Sequence, residues 1–139
     1  MAINRAVFFV CVLLFGAAQG EERFKGRLAP VPIDATMRAT VTGSGSIAAV
    51  LTGTRLSITG TFEGLGGPAT VARLHQGVVT GVRGPALSEL TISKAAAGSV
   101  SGTVTLSAEQ VDDLKKGKLY IQIHSEKAPD GNLWGWLLR

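Results

Sequence analysis

From Thr36 onward the chain consists of short runs of alternating apolar and polar residues, cut by glycine at Gly43, Gly53, Gly60, Gly64, Gly66, Gly67, Gly77, Gly81, Gly84, Gly98 and Gly102. Segments this short cannot supply the apolar stripe of a long helix, but each is long enough for a strand. Leu56, Ile58, Gly60 and Phe62 share one parity, and Arg55, Ser57, Thr59, Thr61 and Glu63 share the other. That is the pattern of a strand with one buried face. Val100, Gly102, Val104 and Leu106 repeat it. Further strands are expected near 36–42, 46–52, 70–76, 87–92, 118–124 and 132–138, about eight in all. An all-β fold follows, and the expected architecture is a Greek-key, immunoglobulin-like β-sandwich.

One short helix is expected near 107–116. Ser107 stands at a capping position with Gln110 three residues on, Val111 and Leu114 are three apart, and Gly117 ends the turn. Glu109 at its start and Lys115 and Lys116 at its end suit the helix dipole, so this charge cluster needs no functional explanation.

The N-terminus has a different character. Arg5 precedes an apolar stretch over residues 6–18, and the small-x-small triplet Ala18-Gln19-Gly20 is followed by Glu21-Glu22-Arg23. The stretch is shorter than the roughly twenty residues a spanning helix needs. It reads as a signal peptide over residues 1–20, cleaved after Gly20. The mature protein is then exported, periplasmic or extracellular, with no integral membrane segment. Residues 21–35, with Pro30 and Pro32, read as an extended lead-in to a domain over 36–139. The one cysteine, Cys11, lies within the apolar stretch, so the mature chain has no disulfide, thiolate metal site or cysteine nucleophile.

The formal net charge is +4, and 17% of residues are charged. Lys115, Lys116 and Lys118 lie beside Asp112 and Asp113, so no basic stripe tracks a phosphate backbone and nucleic acid is not expected as a partner. No Gly-x-Ser-x-Gly elbow, phosphate loop or dinucleotide fingerprint is present. The acidic pairs Glu21-Glu22 and Asp112-Asp113 fall in a tail and on the helix surface. No enzyme is expected.

Several motifs occur in one order: Phe62-Glu-Gly-Leu65, Pro68-Ala-Thr70, Ala72-Arg-Leu-His75, Gly84-Pro85, Gly102-Thr-Val-Thr-Leu-Ser107-Ala-Glu-Gln110, Gly117-Lys-Leu-Tyr-Ile-Gln-Ile-His-Ser125 and Pro129-Asp-Gly131. Over residues 36–138 the chain resembles the chordin-type (CHRD) domain family. The resemblance implies an exported Greek-key β-sandwich and a binding role, and it supplies no reaction. The family usually has His-x-His where this chain has Arg73-Leu-His75. Its closing strand usually reads Gly-x-Ile-Arg-Gly-Gln, where this chain has Gly131-Asn-Leu-Trp134-Gly-Trp136. Copper/zinc superoxide dismutase is also a Greek-key sandwich, but two histidines and no mature cysteine are too few for its ligands.

Parity gives Leu119, Ile121, Ile123, Leu133 and Leu137 to the core. Tyr120, Gln122 and His124 then share the other face with Trp134 and Trp136. A hairpin that keeps core opposite core sets Gln122 across from Trp134 and Tyr120 across from Trp136. This face is the expected partner-binding surface, for a protein, a glycan or a second copy of the chain, unless residues 30–33 or another loop cover it. His75 and His124 are the alternative site, for copper or zinc with a carboxylate from Glu63, Glu126 or Asp130; otherwise no cofactor is expected. A structural envelope protein without a discrete ligand is a further alternative.

Overall fold

The computed structural model describes residues 20–32 and 35–139, so the expected signal segment, residues 1–19, lies outside the described residues. The described chain forms β1 (Glu22–Pro30), β2 (Ser44–Thr52), β3 (Arg55–Glu63), β4 (Ala69–Gln76), β5 (Ala86–Ile92), β6 (Gly98–Thr105), α1 (Ala108–Lys115), β7 (Leu119–Ser125) and β8 (Leu133–Trp136). A 3-10 turn over Ala35–Met37 lies where a strand is expected at 36–42. The eighth strand is instead β1, inside the segment expected as a lead-in. Its Phe24 and Leu28 are buried in the core, so the folded domain starts near Glu22 rather than at residue 36.

The strands form a closed antiparallel barrel in the order β1-β2-β3-β6-β5-β4-β7-β8, which corrects the expected two-sheet sandwich. Closure comes from two strands that change neighbours along their length. The first part of β1 pairs with β2, and its last residues, Ala29 and Pro30, pair with Trp134 and Leu133 of β8. In β5, Ala86 to Leu90 pair with β4, while Thr91 and Ile92 turn to Ser101 and Val100 of β6. A strand that switches partners makes a corner, and two such corners leave no open sheet edge.

Alternation fills the barrel. Ile47, Ala49, Leu51, Leu56, Ile58, Phe62, Leu74, Leu119, Ile121, Ile123 and Leu133 point inward and are buried. Where the walls converge only glycine fits: a Cβ on Gly26 would stand 2.2 Å from the carbonyl oxygen of Trp136. Helix α1 forms as expected, with the Ser107–Gln110 capping box closed in both directions and Gly117 at φ 76 beyond its end. It brings Leu114 over the barrel, fully buried.

The β7–β8 turn is held by a buried polar network. Ser125 Oγ donates to Asn132 Oδ1 at 2.7 Å, and Asn132 Nδ2 donates to the Thr42 carbonyl at 2.7 Å. Both residues are fully buried, and the network fixes the register in which β8 presents its two tryptophans.

Candidate functional site

Strands β4, β7 and β8 lie side by side on one wall. Their registers set Tyr120 between His75 and Trp136, and Gln122 between Arg73 and Trp134. The hairpin register expected from parity is the one formed, with Ile123 opposite Leu133. The outer face of the wall therefore carries His75, Tyr120, Gln122, His124, Trp134 and Trp136 together.

That face is not open. Tyr120 is 1% exposed and Gln122 5%, which corrects their expected place on an accessible binding surface. Trp134 and Trp136 are half-buried. The rings pack on one another: His75 stacks on Tyr120 at 4.8 Å between centroids, and Trp136 lies 4.4 Å from Tyr120. Trp134 meets Tyr120 and Trp136 edge-on at 5.7 and 5.3 Å. Each such pair adds about 0.5–1.5 kcal/mol beyond area burial. Trp134 also packs against a second small core of Val31, Val41 and Ala128.

The main cover is the loop over residues 77–85. The Tyr120 hydroxyl accepts from the Gly84 amide at 3.1 Å and lies 3.2 Å from the Gly84 carbonyl, to which it donates. The Arg83 guanidinium lies 5.8 Å from the Trp134 ring centroid, a cation–π contact. Thr80 Oγ1 donates to the Gly117 carbonyl at 2.7 Å, and the Gly77 amide donates to the Lys118 carbonyl at 2.7 Å, which ties the loop to the end of α1. Gly77, Gly81, Gly84 and Pro85 mark a loop in the sequence, but a hydroxyl contact across 36 positions has no sequence signal.

The two histidines lie on adjacent strands at offset positions: His75 is paired with Tyr120, and His124 with Val71. Each ring offers Nδ1 to a backbone carbonyl, His75 to Gly84 at 3.0 Å and His124 to Pro129 at 2.8 Å. Among the described residues no three His, Cys, Asp or Glu side chains gather to hold a metal, so neither Glu63, Glu126 nor Asp130 joins the pair. Burial pushes the His75 pKa below its ordinary 6.5; the Gly84 bond opposes this, and His124, Arg73 and Arg83 reinforce it. His75 is therefore neutral near pH 7.

The unfolded chain binds a proton at His75 at a higher pH than the folded one, so the contribution is complete above about pH 6.5 and is lost as pH falls below it. Denaturation midpoints in chelator-containing buffer are expected to drop between pH 7 and pH 5, and His75→Asn to flatten that slope. An equal slope in the variant would place the effect elsewhere.

A shallow concavity lined by Lys25, Arg27, Ser46, Thr61, Glu63 and Arg139 lies on the β1–β2–β3 wall. Its lining contains no aromatic side chain and mixes both charges over small residues, so it offers little to orient a ligand.

Fold and site together define a small closed antiparallel β-barrel whose outer wall carries a lidded aromatic and histidine cluster. The CHRD domain family model matches residues 29–137, and the chain belongs to that family. No curated protein and no solved structure gives a significant match to the chain. No helix among the described residues is long and apolar enough to cross a membrane.

Proposed function

We propose that this protein is an exported, non-catalytic binding module, periplasmic or extracellular, and that it engages a protein partner through the 77–85 loop. The observation that carries the reading is where apolar surface is left in water. Val78, Val79 and Val82 are 66, 49 and 46% exposed, and they share one loop. Leu138, at 44%, joins them at the same end of the barrel, because Gly117 lies against both Leu138 and Thr80. Exposed apolar side chains gathered in one place favour an interaction surface, whereas scattered ones need no explanation.

The aromatic wall has a supporting part in this reading. Tyr120, Trp134 and Trp136 form a rigid floor that holds the loop in one conformation, so little ordering entropy is lost on binding. The contact surface proposed is therefore the exposed valines of the loop, in place of the Tyr120, Gln122, Trp134 and Trp136 face expected from sequence.

The Val78→Asp/Val79→Asp double variant tests the proposal. Both sites are exposed, so stability is expected to change by less than about 1 kcal/mol. Cross-linked complexes formed with other exported proteins, or dimers seen by sedimentation if the partner is a second copy, are expected to disappear. Retention of every wild-type complex by the variant would overturn the assignment.

A further inference from the structure

The exposed apolar patch of the 77–85 loop is bordered by cations. Arg83 follows Val82 directly and is exposed, with its guanidinium over the Trp134 ring rather than on a carboxylate. Lys116, exposed at the end of α1, precedes Gly117, which lies against both Leu138 and Thr80. Lys25 is bridged to Leu138, each donating its amide to the other's carbonyl, at 2.8 and 2.9 Å. Phe24 and Leu137 point into the core, so Lys25 and Leu138 both face outward, side by side. Among the described residues none of these three cations has an ion-pair partner.

The carboxylates nearest to them are already engaged. Glu22 is shared by Lys115 at 3.4 Å and Arg139 at 2.9 Å. Asp113 lies 3.8 Å from Lys118 and accepts from the Gln76 side-chain amide. Asp112, exposed one turn back from Lys116, offsets at most one charge, so the rim of the patch is positive.

A positive rim around an aliphatic centre selects among occupants. A second copy would set cations against cations around the same valines, and like charges across an interface oppose pairing. A wholly apolar partner would leave the rim without a counterpart. A lipid surface is best met by exposed tryptophan or tyrosine, and here those side chains are packed beneath the loop while valines occupy its outside. Resting on the reading of this loop as a protein-binding surface, we propose that its partner is an acidic protein surface, with an aliphatic centre against the valines and carboxylates opposite Lys25, Arg83 and Lys116. Burial of the valines supplies affinity, and the rim charges act mainly on the approach and orientation of the partner.

The test selects two matched pools of displayed random peptides on the purified protein. One pool mixes aliphatic residues with Asp and Glu, the other with Lys and Arg. Binders are expected from the acidic pool alone, and their affinity is expected to fall about tenfold between roughly 0.05 and 0.5 M salt, because salt screens exposed charges. A loss of about tenfold is also expected in Lys25→Gln/Lys116→Gln, through slower association. Arg83→Gln additionally frees the Trp134 ring, so the lysine pair, which lies outside the loop, is the deciding variant. Val78→Ser/Val79→Ser changes no charge and is expected to abolish binding of the same peptides. Peptides bound equally by that serine variant and the wild type would overturn both the acidic partner and the loop assignment. Peptides lost in the serine variant, yet drawn equally from both pools and held equally by Lys25→Gln/Lys116→Gln, would overturn the acidic partner and leave the loop as a binding surface. Failure of both pools, or valine-dependent binding of phosphatidylglycerol vesicles or of a second copy in place of acidic peptides, would also overturn it.

Discussion

A chain shortened to begin at Ala29 is expected not to fold, although the family match itself begins at that residue. The shortening removes Phe24 and Leu28, which are 2 and 0% exposed, and burial of each contributes about 1.5–3 kcal/mol. It also removes the seven register pairs between β1 and β2, and with them the closure of the barrel. What remains is an open sheet whose β2 edge has unpaired backbone groups and whose apolar interior faces water. These losses together match the whole stability of an ordinary small domain, about 5–15 kcal/mol. Circular dichroism and denaturant titration of chains beginning at Glu21 and at Ala29 check this. A cooperative transition in the shorter chain within about 2 kcal/mol of the longer one would show that β1 is an accessory to the barrel.

The second large effect is expected at Tyr120. Tyr120→Ala removes a ring packed against His75, Trp134 and Trp136, at a cost of about 3–5 kcal/mol, the range for truncating a buried large aromatic. Tyr120→Phe keeps the ring and removes only the hydroxyl that meets the Gly84 amide and carbonyl, and about 1–2 kcal/mol is expected. The two variants separate packing from anchoring. Both are expected to increase proteolytic cleavage within residues 77–85, because the loop loses its central attachment in each. Thr80 and Gly77 still hold its other side, so the loop is loosened rather than released. Equal stability losses in the two variants would mean that the hydroxyl, not the ring, is what the cluster depends on.

Much of this architecture is legible residue by residue. The parity of residues 56–62 and 100–106 identifies β3 and β6, which pair with Leu56 opposite Val104 and Gly60 opposite Val100. Ser107, Gln110 and Gly117 bound the helix because capping is a local hydrogen-bonding problem that the nearby side chains solve. The register of β7 against β8 follows from the same local logic, since a slip by one residue would turn Ile121 and Ile123 out of the core.

The N-terminal strand is harder to read, because its charged residues, its closing Pro30 and Pro32 just beyond it resemble a lead-in. Only the cross-barrel partners of Phe24 and Leu28 show that it is structural. The segment 36–42 misleads in the opposite direction: its alternation is adequate for a strand, yet β1 already occupies the position beside β2.

The strands with a buried parity, the capped helix and the β7–β8 pairing can thus be read from residue order, since interactions within a few residues or one face against a common core fix each of them. Closure of the sheet through β1 and β5 emerges only from contacts between distant strands. So do the folding of the 77–85 loop back over Tyr120 and the placing of His75, Gln122 and His124 on one wall. Periodicity records which face of a strand is apolar, but it carries no information on which distant segment covers the other face. That depends on closure of the whole barrel, and closure is a property of all eight strands at once.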